Sequence, residues 1–198
     1  GELLARRFGL HRLSTGDMLR EAVRDGTALG RRAQGIMTAG ELVPDDLILA
    51  MVGDVLRSDV AAQGVVFDGF PRTTAQAVGL DALLAELDRP LAGVLVLKVD
   101  DEEIVRRLSG RRSCPKCGAI YHIDSDPPVK AGECDKCGAS LVQRPDDAED
   151  TIRRRLAVYR EQTQPVLAHY RASGAPVREV DGTRAIEEVQ AGLVEVLV

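Results

Sequence analysis

The chain contains no tryptophan and only six aromatic residues among its 198, three Phe and three Tyr. Flat aromatic faces are what proteins use to stack nucleic-acid bases, so this scarcity points away from a single-strand-binding platform. It also leaves the core to Leu, Val, Ile and Ala. Positive charge is not in excess: 26 Lys and Arg stand against 31 Asp and Glu, a net charge of −5. Coating nucleic acid or anionic lipid requires a basic footprint, so neither nucleic acid nor membrane is expected as a partner. No run approaches the ~20 apolar residues needed to span a bilayer, and no basic-then-apolar leader opens the chain. A cytoplasmic setting is expected, and reduced thiols with it. Cysteine is absent outside one stretch, Ser113 to Leu141, which holds all four. The chain also lacks any glycine-rich loop of the form GxxGxGKGT, a common means of wrapping nucleotide phosphates in backbone amides.

What remains is an ordinary soluble composition, 44% hydrophobic and 29% charged, long enough for one main domain with small appendages. Leu3, Leu4 and Phe8 share a helical face that Gly9 stops. "LHRL" (Leu10 to Leu13) is a short candidate strand running into "STGDMLREAVRDG", where Ser14 or Thr15 caps a helix and Gly26 ends it. A second short helix, with Leu29, Ala33, Ile36 and Met37 on one face, stops at Gly40; Pro44, Asp45 and Asp46 open another. Three short β-branched runs, Gly64 to Asp68, Gly93 to Asp100 and Ala175 to Asp181, each end in Asp. Helical stretches lie between and after them: Thr74 to Leu87, Asp101 to Leu108, one long helix from about Asp150 to Tyr170, and a last one bearing Ile186, Val189, Leu193 and Val196. Alternation of this kind predicts an α/β fold with a doubly wound parallel sheet, its ligands beyond the carboxyl ends of the strands. Residues 14–43 and 110–147 interrupt that rhythm, the first as a helical insert, the second as a turn-rich insert with no helical period.

The second insert carries CPKCG (Cys114 to Gly118) and CDKCG (Cys134 to Gly138). Two such knuckles present four thiolates, Cys114, Cys117, Cys134 and Cys137, to one ion, and a closed tetrahedral zinc site of this kind is structural. Free thiols, a redox pair or an iron–sulfur cluster are the competing readings. Fewer than forty residues with few large apolar side chains do not hold a fold unaided, so zinc would supply the stability.

"VVFDGFPRT" (Val65 to Thr73) carries the phosphate chemistry. A strand delivers Asp68 to its carboxyl end, where a carboxylate can face a nucleotide-bound Mg²⁺. Gly69 allows a close turn, Pro71 fixes it, and Arg72 offers a planar fork to an oxyanion. Arg20 lies about one helical turn beyond Asp17. Arg106, Arg107, Arg111 and Arg112 precede the cysteine insert; Arg144, Arg153, Arg154 and Arg155 follow it. Of these, Arg106, Arg112, Arg153 and Arg154 read as solvated helix faces. The remainder would converge on one polyanion if the insert closes as a flap.

"STGDMLR", "DGFPRT", "GRR" before a cysteine-bearing flap, "QRPDD" after it and "VDGT" near the end occur in one order. On these motifs the sequence resembles, over essentially its whole length, adenylate kinases of the long bacterial type with a zinc-bearing lid, members of the nucleoside monophosphate kinase family with a P-loop NTPase-like core. The resemblance implies a core of residues 1–13, 44–109 and 148–198, an AMP-binding domain at 14–43 and a lid at 110–147. It implies that AMP is held by Thr15, Arg20, Glu41, Leu42, Val43, Gly69, Phe70, Pro71, Arg72 and Gln76, with Arg20 and Arg72 on the phosphate and Gln76 at the adenine edge. Arg107 and Arg111 would face the ATP phosphates, Arg144 and Arg155 the transferring group, and Arg184 the ATP base. With Mg²⁺, Asp68 and these arginines would serve direct in-line transfer, Mg·ATP + AMP ⇌ 2 ADP, under a lid that excludes water. A monomer is expected.

The family pattern also opens with a central strand and the glycine-rich loop that this chain lacks. Gly1 to Leu10 reads as the helix after that loop, and the chain begins without Met. The expectation is that a segment precedes Gly1, that its absence leaves unpaired strand edges and an open core, and that turnover stays at trace levels without it. Kinases for UMP, CMP or GMP remain open within the class. Outside it, the alternative is a zinc-ribbon adaptor without catalysis.

Overall fold

The computed structural model describes residues 1–195; the expected apolar position at Val196 lies outside them. Helix α1 (Glu2–Phe8) ends on Gly9 in the left-handed conformation and leads into strand β1 (His11–Leu13). Ser14 caps α2 (Thr15–Arg24) by accepting from the Asp17 amide, and Thr27 caps α3 (Ala28–Thr38) by accepting from Gly30. These caps satisfy amides that the first turn leaves without partners. The two helices cross so closely that a Cβ on Gly30 would sit 2.0 Å from the Ala22 carbonyl oxygen, so glycine is required there.

Helix α4 (Asp45–Leu56), strand β2 (Val65–Phe67), helix α5 (Thr74–Glu86), strand β3 (Val94–Lys98) and helix α6 (Asp101–Ser109) follow in order. The chain then forms β4 (Arg111–Ser113) and β5 (Ile120–His122), an antiparallel pair, before returning to helix α7 (Glu149–Val158). Helix α8 (Gln164–Ala172), strand β6 (Val177–Asp181) and helix α9 (Ile186–Glu195) complete the described chain.

The α/β class and the parallel pairing are those expected, with one difference in arrangement. Among the described residues the parallel strands form two pairs, not one continuous ladder: β1 with β2, His11 opposite Val65, and β3 with β6, Val94 opposite Val177. A cavity lined by Gly69, Pro71, Val96, Lys98, Ile152 and Leu156 runs from the turn after β2 to β3 and α7.

The main core lies on the β1–β2 side, where Leu13, Leu19, Ala33, Val43, Ile48, Val52, Leu56, Phe70, Leu80 and Leu84 form one buried cluster. It gathers residues of the 14–43 insert together with α4 and α5, so that insert is folded by apolar burial, each large side chain contributing about 1.5–3 kcal/mol. The cysteine insert has a core of its own, Cys114, Ala119, Tyr121 and Cys134, with Leu141 against it.

The long helix expected from about Asp150 to Tyr170 forms but changes winding midway. A π-helical turn, Tyr159–Thr163, joins α7 to α8. Pro165, at the start of α8, has no amide to donate and its ring crowds the preceding turn, so the chain widens there. Thr163 in the widened turn donates its hydroxyl to the Arg72 carbonyl at 2.8 Å, tying that turn to the "DGFPRT" loop.

Candidate active site

Parallel strands deliver their carboxyl ends to one edge, and at that edge of β2 the chain turns through Asp68 and Gly69. Gly69 has φ +70°, a left-handed conformation that side chains disfavour, and its carbonyl accepts from Arg72 Nε at 2.8 Å. Strand, turn and arginine are thereby one rigid unit. Thr73 caps α5, and Gln76 on its first turn accepts from the Arg72 amide at 2.8 Å while donating to Asp45 at 2.8 Å.

A cleft between the helical insert and this loop is lined by Thr15, Arg20, Glu41, Leu42, Val43, Arg72, Gln76 and Arg155. It therefore brings together seven of the residues expected to hold AMP with Arg155, expected at the transferring group, from five separate segments. Gly69 and Pro71 line the adjoining cavity under β3, whereas Phe70 turns inward to the core, its ring centroid 5.9 Å from that of Phe67. Gln76 has both ends of its amide engaged, with Arg72 and Asp45, so a base at that edge must compete with Asp45.

Three arginines, Arg20, Arg72 and Arg155, line this cleft; Arg144 lines a neighbouring cavity with Arg20, and Arg111 is near enough for its charge to act on Arg144 and Arg155. Burial lowers the pKa of Arg72, and the nearby positive charges of Arg155 and Arg20 lower it further. Burial and the charges of Arg20 and Arg111 bring Arg144 down to about 10. Arg155 is likewise lowered by burial, with Arg111 and Arg20 adding to the effect. Mutual repulsion among guanidinium groups from α2, the β2 loop, the two ends of the cysteine insert and α7 is unfavourable by itself and is relieved by a polyanion. Two adjacent carboxylates offset it in part. The fully buried Asp147 takes Arg111 through two bonds, at 2.8 and 2.5 Å, and Asp146 accepts from Arg155 through its carbonyl at 3.1 Å and its carboxylate at 3.4 Å. Both acids belong to the "QRPDD" motif, yet the sequence reading assigned them no role. Two consecutive acids in an arginine-rich stretch were the available signal. Arg144 donates Nε to Ser113 at 2.8 Å, linking the two roots of the cysteine insert.

Arg107 and Arg184 stand apart from this cluster. Arg107 donates to the carbonyls of Gly182 and Thr183 at 2.7 and 3.3 Å and to Glu103 at 2.6 Å, and the exposed Arg184 pairs with Asp181 at 3.4 Å. Both thus gather at the "VDGT" loop. Arg106 and Arg153 are in exposed ion pairs with Glu103 and with Glu102 and Glu149. Arg154, read as a solvated face, instead bonds Glu41 and joins α7 to the helical insert.

In the cysteine insert the four sulfur atoms lie within 4.8 Å of one another, with Cys114–Cys137 at 3.4 Å and Cys117–Cys134 at 3.5 Å. Four zinc–sulfur bonds of ~2.3 Å around a tetrahedron give edges of about 3.8 Å, close to these separations, so the donor set is compatible with that ion. Both knuckles close with amides of Gly118 and Gly138 donating to the carbonyls of Cys114 and Cys134. A hydrogen bond from Tyr121 brings the Cys134 thiol down to about 6 against the effect of burial, with the Lys136 amide assisting. Cys137 goes the other way, up to about 12: the Ala139 amide favours its thiolate, but burial and the neighbouring sulfurs outweigh that. Crowded thiols without a cation do not ionise together.

Guanidinium groups gathered beyond the carboxyl end of a parallel strand define a protein suited to hold a phosphorylated small molecule. The family model described as adenylate kinase matches residues 1–175. The chain is 45% identical to an adenylate kinase of Syntrophotalea carbinolica over 99% of its own length and 90% of that protein's. It is 49% identical to one of Trichlorobacter lovleyi over 100% and 92%, and 48% identical to one of Acidothermus cellulolyticus over 99% and 90%. The chain belongs to the adenylate kinase family: nucleoside monophosphate kinases that transfer a phosphoryl group between ATP and AMP to give two ADP.

Proposed function

We propose that this chain performs that transfer with the converging arginines as its charge-bearing machinery. The observation that carries the assignment is the cluster of Arg20, Arg72, Arg111, Arg144 and Arg155 around one cleft, several of them shifted by each other's charge. Residues 14–43 act as the AMP-binding domain, 110–147 as the lid, and 1–13, 44–109 and 148–198 as the core. AMP enters between α2 and the β2 loop, its phosphate on Arg20 and Arg72. Thr15, Glu41, Leu42, Val43 and Gln76 form the surrounding wall, Gly69 and Pro71 border it from the adjoining cavity, and Phe70 backs the loop from the core. Arg144 and Arg155 face the transferring group, and Arg111 the ATP phosphates. Arg107 and Arg184, at the "VDGT" loop, meet the nucleoside end of ATP. For Arg107 this revises the expectation of a phosphate contact.

Phosphoryl transfer asks little covalent work of a protein; positioning and charge stabilisation supply most of the rate. Fixed guanidinium forks, held by Asp146, Asp147 and Ser113 before substrate arrives, do not have to reorganise as negative charge spreads over the transferring group. Asp68, a carboxylate at a strand end, is the residue to hold Mg²⁺ delivered with ATP. When bound, that ion would neutralise phosphate charge. Zn²⁺ on Cys114, Cys117, Cys134 and Cys137 would make the lid one rigid piece, able to close over the nucleotides and exclude water. The reading includes a monomeric, cytoplasmic enzyme. Among the described residues no helix is long and apolar enough to cross a membrane.

Calorimetric titration tests the assignment. AMP is expected to bind, and Arg72→Gln to raise its Kd by about tenfold or more, the loss of charge-assisted hydrogen bonds. AMP is expected to bind more tightly than UMP, CMP or GMP in the same titration. Equal affinity for all four monophosphates would remove the AMP assignment, and an unchanged Kd in Arg72→Gln would remove Arg72 from the site.

A further inference from the structure

Arg12 lies in the middle of β1, opposite Val66 of β2. Its half-buried guanidinium is shared between carboxylates from two different elements. Nε donates to Asp68 Oδ2 at 2.7 Å, and Nη1 to Asp17 Oδ2 at 2.8 Å. The other oxygen of Asp17 accepts from Arg20 Nη2 at 2.5 Å. Four charges of alternating sign therefore run in a row, Asp68, Arg12, Asp17, Arg20, from the end of β2 to the helical insert. The row stays ionised at neutral pH: burial alone would raise Asp17, but the bonds from Arg20 and Arg12 hold it down at about 2.

The two ends of this row are the groups to which the proposed function gives ligands of opposite sign, and the inference rests on that reading. Asp68 is to hold a divalent cation and Arg20 a phosphate. Each end is also in competition with its neighbour in the row. A carboxylate bonded to Arg12 offers less charge to a cation, and a guanidinium bonded to Asp17 offers less to an anion. We propose that Arg12 is a positioning residue that sets this balance, favouring phosphate at Arg20 and restraining the cation at Asp68. With Arg12 in place, Asp17 has a second cation and holds Arg20 less exclusively. Without it, Asp17 has Arg20 alone and withholds it from phosphate, while Asp68 is released to the metal. Because one side chain serves both ends, binding at one end alters affinity at the other, and the coupling is reciprocal.

The test uses the full chain and two equilibrium probes, AMP by calorimetry and Mn²⁺, standing in for Mg²⁺, by water proton relaxation. Arg12→Gln is expected to weaken AMP and tighten Mn²⁺, each by about threefold, the scale of a partly exposed ion pair. Asp17→Asn is expected to give the mirror image, tighter AMP and weaker Mn²⁺, since Arg20 is freed and Arg12 falls wholly to Asp68. Opposite signs within each variant separate this role from a structural one, which would weaken both ligands together. Parallel loss of both in Arg12→Gln, or no change in either, overturns the proposal. Failure of the unaltered chain to bind AMP overturns the assignment of Arg20, and this inference with it; failure of Mn²⁺ alone does the same for Asp68.

Discussion

The two inserts that flank the cleft are rigid for different physical reasons. Residues 14–43 place Leu19, Ala33 and Val43 in the main core, so their geometry derives from apolar burial shared with α4 and α5. The cysteine insert buries only Cys114, Ala119, Tyr121 and Cys134 as a cluster of its own, and Ile120, Ile123 and Val129 remain exposed. One insert borrows the core of its host. The other buries little, and in the proposed reading an ion on its four thiolates would supply what that small core does not. Such ligation would give local rigidity without tying the insert to the host core.

The comparison can be broken most decisively at the metal. Zinc-dependent folding of small thiolate sites contributes an apparent ~10–16 kcal/mol, so chelation or Cys134→Ser should unfold the lid. Hydrogen exchange should then show loss of protection across 111–142 while α2 and α3 keep theirs; retained protection in the lid would remove the zinc argument. The arginines come next. Arg155→Ala is expected to lower kcat by about 10³-fold, in the range seen when a transition-state arginine is removed, with little change in melting temperature. Asp147→Asn should destabilise by about 3 kcal/mol, because it leaves Arg111 without its buried counter-charge, and denaturant titration would read it. Leu19→Ala should cost about 3 kcal/mol as well, through the cavity it leaves. Its effect should fall on the helical insert and leave zinc content unchanged, which would sharpen the contrast between the two regions.

The smallest effect is one of pH. Asp17 has a folded-state pKa of about 2, below its ordinary value of 3.8. A depressed carboxylate contributes stability that is complete above the ordinary value and is lost as pH falls through the folded one. Its half-exposed position limits that contribution to below about 1 kcal/mol. Acid titration of stability should therefore be flatter between about pH 4 and 2 in Asp17→Asn than in the unaltered chain.

What could be read from the chain alone was local. The helix start at Ser14 or Thr15, the turn after β2 and the two cysteine knuckles each follow from a few adjacent residues whose chemistry narrows the geometry, whereas the caps at Thr27 and Thr73 emerged only in the structure. Several arginines that the structure brings to or near the cleft stand in short motifs of fixed order, which is why they could be picked out before any packing was known. Tertiary structure decided the pairings between distant segments: Arg12 with Asp68, Arg111 with Asp147, Arg154 with Glu41, and Arg107 with the "VDGT" loop instead of the arginine cluster. It also decided that the strands form two parallel pairs and that Pro165 widens a helix instead of ending it. A charged side chain can satisfy itself with any opposite charge in reach, and which one is in reach depends on how distant elements pack, a quantity no local pattern contains.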